Sequence, residues 1–252
     1  MSLKPKVALS QDFLLQLAKL PLSVQSKVMK WAIQFQSDPM SPGINYENIN
    51  GARDSNLKSV RLDRDWRGIV FKPSSGDVYV LLYVDHHDAA YRWAENRKLA
   101  INPVTGAMQL VVFESVTLEV PVAQRPSFTE DTAAGDQTSA KPSFASLGDR
   151  ELLSLGVPEE LLATVRTIAS DEQFDAMQAQ LPVEAYEGLF LVAAGDTVSQ
   201  VLAARETRVD KVVDTADFAA ALTAPESQSR FVIVDDDEAM LAIMNAPLAQ
   251  WR

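Results

Sequence analysis

Leu57-Lys-Ser-Val-Arg-Leu62, Trp66-Arg-Gly-Ile-Val-Phe-Lys72 and Asp77-Val-Tyr-Val-Leu-Leu-Tyr-Val-Asp85 decide the fold of this chain. Each run is rich in β-branched, aliphatic or aromatic side chains, which suit a pleated, half-buried surface. Pro73-Ser-Ser-Gly76 marks a turn between the second run and the third. The third run is apolar on both parities, Val78, Val80, Leu82 and Val84 against Tyr79, Leu81 and Tyr83. That pattern predicts a central strand buried on both faces. Three consecutive antiparallel strands are therefore expected in the middle of the N-terminal half.

Working outward, Phe13, Leu14, Leu17 and Ala18 share one face of a helix expected over 12–19, with Ser10 as its cap. Leu20-Pro21-Leu22 breaks it, and Ser23 is expected to cap the next helix. Val24, Val28, Trp31, Ala32 and Phe35 form the apolar stripe of that second helix, and Asp38-Pro39 ends it. After the strands, Asp88 suits the cap of a helix running to about Arg97. Asn102-Pro-Val-Thr-Gly106 is a turn, and Met108 to Val122 reads as further strand.

From Ala123 to Gly148 the chain is rich in Pro, Ser, Thr, Ala and Gly without an apolar period, the composition of a flexible linker. Helices are expected over 148–169 with a break at Gly156-Val-Pro158, then over 170–180, 182–193 and 197–206. Ser170 with Gln173 has capping-box spacing. Phe231-Val-Ile-Val234 reads as a short strand, and Asp235-Asp-Asp237 leads into a helix ending at Met244. The expected fold class is α+β: a helical hairpin on an antiparallel sheet in 1–112, a strand extension and linker in 113–147, and a mainly helical acidic domain with a short strand in 148–252.

At 252 residues, 47% hydrophobic and 23% charged, the composition is that of a globular protein. There are no cysteines, so disulfides and thiolate metal sites are excluded. No run of about 18 apolar residues predicts a membrane span, and Met1-Ser-Leu-Lys-Pro-Lys6 lacks the apolar core of a secretory signal. A cytoplasmic chain with no membrane partner, cofactor or metal is expected. The charge is split: residues 1–112 hold 14 Lys and Arg against 10 Asp and Glu, a net +4, while residues 113–252 hold 9 against 24, a net -15. A basic front suits the phosphates of nucleic acid. An acidic back keeps a chain soluble, or, on a flexible tether, folds against the basic front.

The chemistry-bearing residues gather near the strands. Arg61 and Arg67 flank the first turn, and His86-His87 ends the third run. An arginine fork matches phosphate oxygens bidentately, and histidine transfers protons near neutral pH. Whether the arginines share a face depends on the turn. A two-residue loop at Arg64-Asp65 pairs position 61 with 68 and separates them, whereas an odd loop pairs 61 with 67. A plain structural role fits as well. Asp63, Asp65, Asp85 and Asp88 offer ion-pair partners, and Tyr91 and Trp93 suit helix packing. Adjacent histidines on a strand point apart, which argues against a metal site.

Two resemblances bear on function. Ser59-Val-Arg-Leu62, Asp65-Trp-Arg-Gly-Ile-Val70 and Val84-Asp-His-His-Asp88 with Tyr91 resemble the RelE/ParE toxin superfamily over roughly residues 4–112. The ribonuclease members of that superfamily cut mRNA on the ribosome. The resemblance implies Arg67 and Arg61 as phosphate-stabilising residues, His87 as general acid or base, and Glu47 as the carboxylate some members use as a base. It also implies nucleic-acid contacts by Lys58, Arg64, Tyr91 and Arg92. Leu155-Gly-Val-Pro-Glu-Glu-Leu-Leu162, Leu181-Pro-Val-Glu-Ala-Tyr186 and Ala193-Ala-Gly195 resemble the N-terminal region of UvrD-like superfamily 1 DNA helicases. No G-x-x-x-x-G-K-[ST] occurs in the chain, so it holds no Walker A loop for ATP. The implied function is a nucleic-acid-interacting domain ahead of a helicase motor. The alternative is an active endoribonuclease regulated by the acidic C-terminal half.

Overall fold

The computed structural model describes residues 5–113, 144–205 and 212–247. The chain divides into two compact units, one made of residues 1–112 with 208–252 and the other of residues 113–207. The first unit opens with strand β1 (Lys6–Ser10) and helices α1 (Gln11–Leu17) and α2 (Leu22–Ser37). Strands β2 (Tyr46–Asn48), β3 (Leu57–Arg61), β4 (Trp66–Phe71) and β5 (Val78–His86) follow. Helix α3 (His87–Glu95) leads into a hairpin of β6 (Arg97–Ile101) and β7 (Met108–Val112). The second unit contains α4 (Asp149–Ser154), α5 (Leu162–Arg166), α6 (Asp171–Ala176), α7 (Val183–Ala193) and α8 (Val198–Ala204). The chain then re-enters the first unit through α9 (Phe218–Ala221), α10 (Pro225–Gln228), β8 (Phe231–Val234) and α11 (Asp237–Met244).

Six strands form one sheet in the order β2-β3-β4-β5-β1-β8. Neighbours are antiparallel except β1 and β5, which run parallel. The expected strands β3, β4 and β5 are present, and β5 is central. The sheet is larger than three antiparallel strands, because β1 fits between β5 and β8. Val7, Ala8 and Leu9 of β1 are fully buried. Five residues leading directly into a helix are too few to show a period of two.

Each face of the sheet carries its own core. On one side Val28, Ala32 and Phe35 of α2 pack with Phe13 and Leu17 of α1 against Val60, Val70 and Leu81. Trp31 lies on Gly68, where an added Cβ would come within 2.7 Å of its Cη2 atom. The glycine therefore lets α2 approach the middle of β4. On the other side Ala90, Trp93 and Ala94 of α3 pack with Leu57, Ile69, Phe71 and Leu82. Pairing of β4 with β5 skips Leu82 between Tyr83 and Leu81, a bulge in β5. The carbonyl of Leu82 accepts from the Ser10 hydroxyl at 2.7 Å, and that hydroxyl oxygen accepts the Phe13 amide at 3.1 Å. The expected cap of α1 thus also ties the helix to the bulge.

The second unit packs Phe144, Leu152, Leu155, Val165, Phe174 and Leu189 inside. Ser170 caps α6, but Gln173 closes back on the amide of Ala169 rather than Ser170. The full capping box falls at Thr197 and Gln200, ahead of α8.

Several boundaries differ from expectation. Helix α2 starts at Leu22 after Pro21, so Ser23 lies inside it and does not cap it. Proline's fixed φ already sets the entry. Helix α3 starts one residue before Asp88, at His87, and Arg97 begins β6 instead of ending the helix. The strand expected over 108–122 ends at Val112; its residues 114–122, and the linker as far as residue 143, lie outside the described residues.

The largest correction concerns 148–252, which is not one domain. Phe231 to Val234 pair antiparallel with β1, and α11 packs on α2. Burial of Phe231, Val234 and Met240 explains the return, since such apolar side chains contribute about 1.5–3 kcal/mol each when buried. Among the described residues no helix is long and apolar enough to cross a membrane.

The return is testable through Met240, which is fully buried. Truncating Met240→Ala should cost about 2–5 kcal/mol of first-unit stability. All four tryptophans lie outside residues 113–207, so tryptophan fluorescence during urea unfolding reports the first unit. An unchanged midpoint would show that α11 does not complete this core.

Candidate functional site

Arg61 pairs directly with Arg67, and the five residues between them, Leu62 to Trp66, are the odd number that this register requires. Both side chains therefore leave the same face of the sheet. Asp63 shapes the loop. Its Oδ1 accepts the amides of Asp65 at 2.9 Å and Trp66 at 3.0 Å. Its Oδ2 accepts from Lys27 Nζ of α2 at 2.6 Å. The Lys27 bond, followed by the Asp65 amide, holds the Asp63 carboxyl down at about 2. The backbone carbonyl of the same residue accepts from Arg61 Nε at 3.2 Å and Arg67 Nη1 at 3.0 Å. Two guanidinium groups thus converge on one carbonyl.

Arg61 is exposed, whereas Arg67 is only 7% exposed. Arg67 Nη1 donates a second bond to Trp66 O at 3.0 Å. Its Nε is buried without a hydrogen-bond partner. Glu47 Oε2 stands 4.0 Å from that nitrogen, too far for a hydrogen bond. Glu47 belongs to β2, directly across from Ser59 of β3. The Glu47 carboxylate also receives the Tyr91 hydroxyl of α3 at 3.5 Å. Tyr91 packs on His87 with ring centres 4.2 Å apart.

His87 Nδ1 lies 2.9 Å from Asp88 Oδ1, and this contact holds the Asp88 carboxyl below its ordinary range. The His87 amide donates to Asp65 O at 2.9 Å, fastening the start of α3 to the β3–β4 loop. Arg61, Arg67, Glu47, Tyr91 and His87 are in this way linked by successive contacts.

The surrounding carboxylates are mostly engaged elsewhere. Asp85 stands across from Arg67 in register, but its Oδ2 accepts from Gln16 Nε2 at 2.9 Å and Tyr83 OH at 3.1 Å. Burial, then Asp85, pushes the Tyr83 hydroxyl up to about 12. Tyr83 stacks on Trp93 at 4.7 Å, and Arg97 lies over the Trp93 ring at 4.7 Å, which supports α3 from beneath. His86 turns away from the cluster and packs on Trp66, the rings tilted with centres 3.9 Å apart.

Not every expected residue joins the cluster. Lys58 alternates to the opposite face of β3 from Arg61 and donates to Asn48 Oδ1 at 2.7 Å. Arg64 is exposed at the loop tip. Arg92 is exposed on α3, where Nε reaches Asp88 O at 3.4 Å. Among the described residues no three His, Asp or Glu side chains gather as a metal site.

Two residues at the site do more than the sequence implies, where Asp63 figures only as an ion-pair partner and Ser59 has no role. Asp63 organises the loop, and an aspartate two residues ahead of another turn residue is a recognisable Asx-turn signal. Ser59 is fully buried with its hydroxyl unpartnered, on the same face as Arg61 and Arg67. Nothing in a lone strand serine marks it in advance.

Asp63 gives the site an acid-sensitive hinge. Its folded pKa lies below the ordinary 3.8, so its stabilisation is complete above that value and lost as pH falls through about 2. Denaturant titrations across this window should show a shallower acid limb for Asp63→Asn than for the unaltered chain. Parallel limbs would remove Asp63 from this role. Searches with the sequence and structure found no matching protein-family model, no similar curated protein and no similar solved structure.

Proposed function

We propose that the first unit is a RelE/ParE-like nucleic-acid-binding module whose Arg61 and Arg67 hold the phosphate backbone. The observation that carries this reading is the state of Arg67. Its Nη1 is spent on two backbone carbonyls, while its buried Nε has no hydrogen-bond partner. A guanidinium fixed by one nitrogen and unsatisfied at another is preorganised for an oxyanion. Arg61 adds a second charge on the same face. The rings of Tyr91 and His87 offer stacking surfaces beside it. The net +4 of residues 1–112 is offset by residues 208–252, which hold 4 Lys and Arg against 8 Asp and Glu, so the reading rests on the local pair Arg61 and Arg67 rather than on net charge. We read this module as the leading part of a UvrD-like helicase, on the resemblance of Leu155 to Leu162 and Leu181 to Tyr186.

A second reading, an endoribonuclease, is favoured by the contacts that bring Glu47, Tyr91 and His87 alongside Arg67. These supply a carboxylate and an imidazole near the phosphate site, the groups that 2′-hydroxyl attack and leaving-group protonation require. Regulation by the acidic half belongs to this reading. The part of that half which returns to the first unit joins β1, at the opposite end of the sheet from β2, through apolar contacts.

Fluorescence anisotropy with short labelled RNA and DNA strands tests the reading. Binding should weaken as salt rises, and Arg61→Ala should reduce the logarithmic salt slope by about 0.7–0.9. Arg67→Gln should weaken binding at every salt concentration. Absence of binding at low salt would overturn the proposal. Cleavage of the RNA strand, lost in His87→Ala, would select the second reading.

A further inference from the structure

We infer that Glu47 is a displaceable gate on Arg67, a carboxylate that a phosphate must push aside in order to bind. The inference rests on the reading of Arg67 as a phosphate-binding residue. Four observations support it. Arg67 Nε is buried and unpartnered, so it seeks an acceptor. The Glu47 carboxylate stands 4.0 Å away, attracted by charge but outside hydrogen-bond reach. Glu47 is held by no strong bond: the contact with Tyr91 OH is 3.5 Å long, and the Glu47 side chain remains 44% exposed. It also stands on β2, a three-residue strand at the edge of the sheet. A long side chain there swings outward without breaking the sheet.

The neighbouring row adds a second unsatisfied group. Ser59 faces Glu47 across β2 and β3, and its buried hydroxyl has no partner. Ser59, Arg61 and Arg67 lie on one face. An oxyanion arriving at Arg67 finds an unsatisfied donor in its Nε, and repulsion from Glu47. A carboxylate directly beside a phosphate is costly unless it moves or is neutralised. Glu47 thus occupies the unliganded state, keeping a buried guanidinium from standing without any counter-charge. It sets a threshold that small or weakly held anions fail to cross, while a polyanionic strand also gripped by Arg61 succeeds.

The gate makes a prediction opposite in sign to that for a catalytic base. Affinity of the full chain for a short fluorescein-labelled single-stranded RNA is measured by anisotropy for the unaltered protein, Glu47→Gln, Arg67→Gln and the double variant. Thermal melts verify that each is folded, and Glu95→Gln serves as a control for net charge. Glu47→Gln should bind about fivefold more tightly, and the gain should vanish in the Arg67→Gln background. Unchanged or weaker binding by Glu47→Gln, while Arg67→Gln still weakens it, overturns the gate and leaves the phosphate reading standing. An equal gain in Glu95→Gln also overturns it, as a general charge effect. Unaltered binding by Arg67→Gln defeats the phosphate reading itself.

Discussion

The Asp63 carboxylate is the constraint on which the site depends. Its three hydrogen bonds brace the turn, and the five residues between Arg61 and Arg67 fix which residues of β3 and β4 face one another. A one-residue slip would send Arg61 and Arg67 to opposite faces. The magnitudes show which bonds matter most. Lys27 is more than half exposed, so its ion pair contributes about 0–1 kcal/mol and weakens with salt. Each amide bond to a charged carboxylate is worth about 1.5–3 kcal/mol. The loop is therefore held chiefly by its own backbone, with Lys27 anchoring it to α2. The Asp63 carbonyl then orients both guanidinium groups, so one residue determines register and aim together.

Local signals made much of the fold legible. Strand β5 shows itself through apolar residues on both parities, and α2 through Val24, Val28, Ala32 and Phe35 at helical spacing, all buried. Ser10 was recognisable as a cap because its signal lies within three residues of its partner, Phe13. What stayed hidden is non-local. Strand β1 has five residues, and its stability comes from β5 and β8, which are more than 60 and 200 positions away. The pairing of β8 with β1 cannot be read from Phe231 to Val234 alone, because four apolar residues fit any sheet edge. The -15 of residues 113–252 does not mark which part of them returns to the sheet. The returning segment keeps Asp235, Asp236 and Asp237 exposed and buries Val234 and Met240. Net charge describes its surface, while a few buried side chains decide where it docks.

The candidate site was legible in residue types but not in geometry. Arg61, Arg67 and His87 stand out by chemistry, yet their usefulness turns on loop parity, which the sequence left open. Lys58 shows the converse. It is a suitable cation three residues from Arg61, but a strand reverses direction at every residue, so an odd separation puts it on the other face. Arg67 itself exceeds what the sequence implied. A strand arginine is usually solvated, whereas this one is buried and leaves a nitrogen unsatisfied, at a cost that ordinary packing does not explain.

Binding and cleavage make different demands on this arrangement. Phosphate binding needs only fixed donors, and Arg67 is fixed by Asp63 O and Trp66 O. Cleavage also needs a base and an acid free to exchange protons with the substrate. His87 is committed on its Nδ1 side to Asp88, and Glu47 leans toward Arg67 and Tyr91. A histidine oriented by a carboxylate can still transfer protons through its other nitrogen, as catalytic pairs do. Glu47 has no such latitude: the nearer it lies to the guanidinium, the more directly it opposes an incoming phosphate. On the proposed reading of Arg67 as a phosphate-binding residue, its geometry favours binding ahead of chemistry, and Glu47 is the residue whose position distinguishes the two.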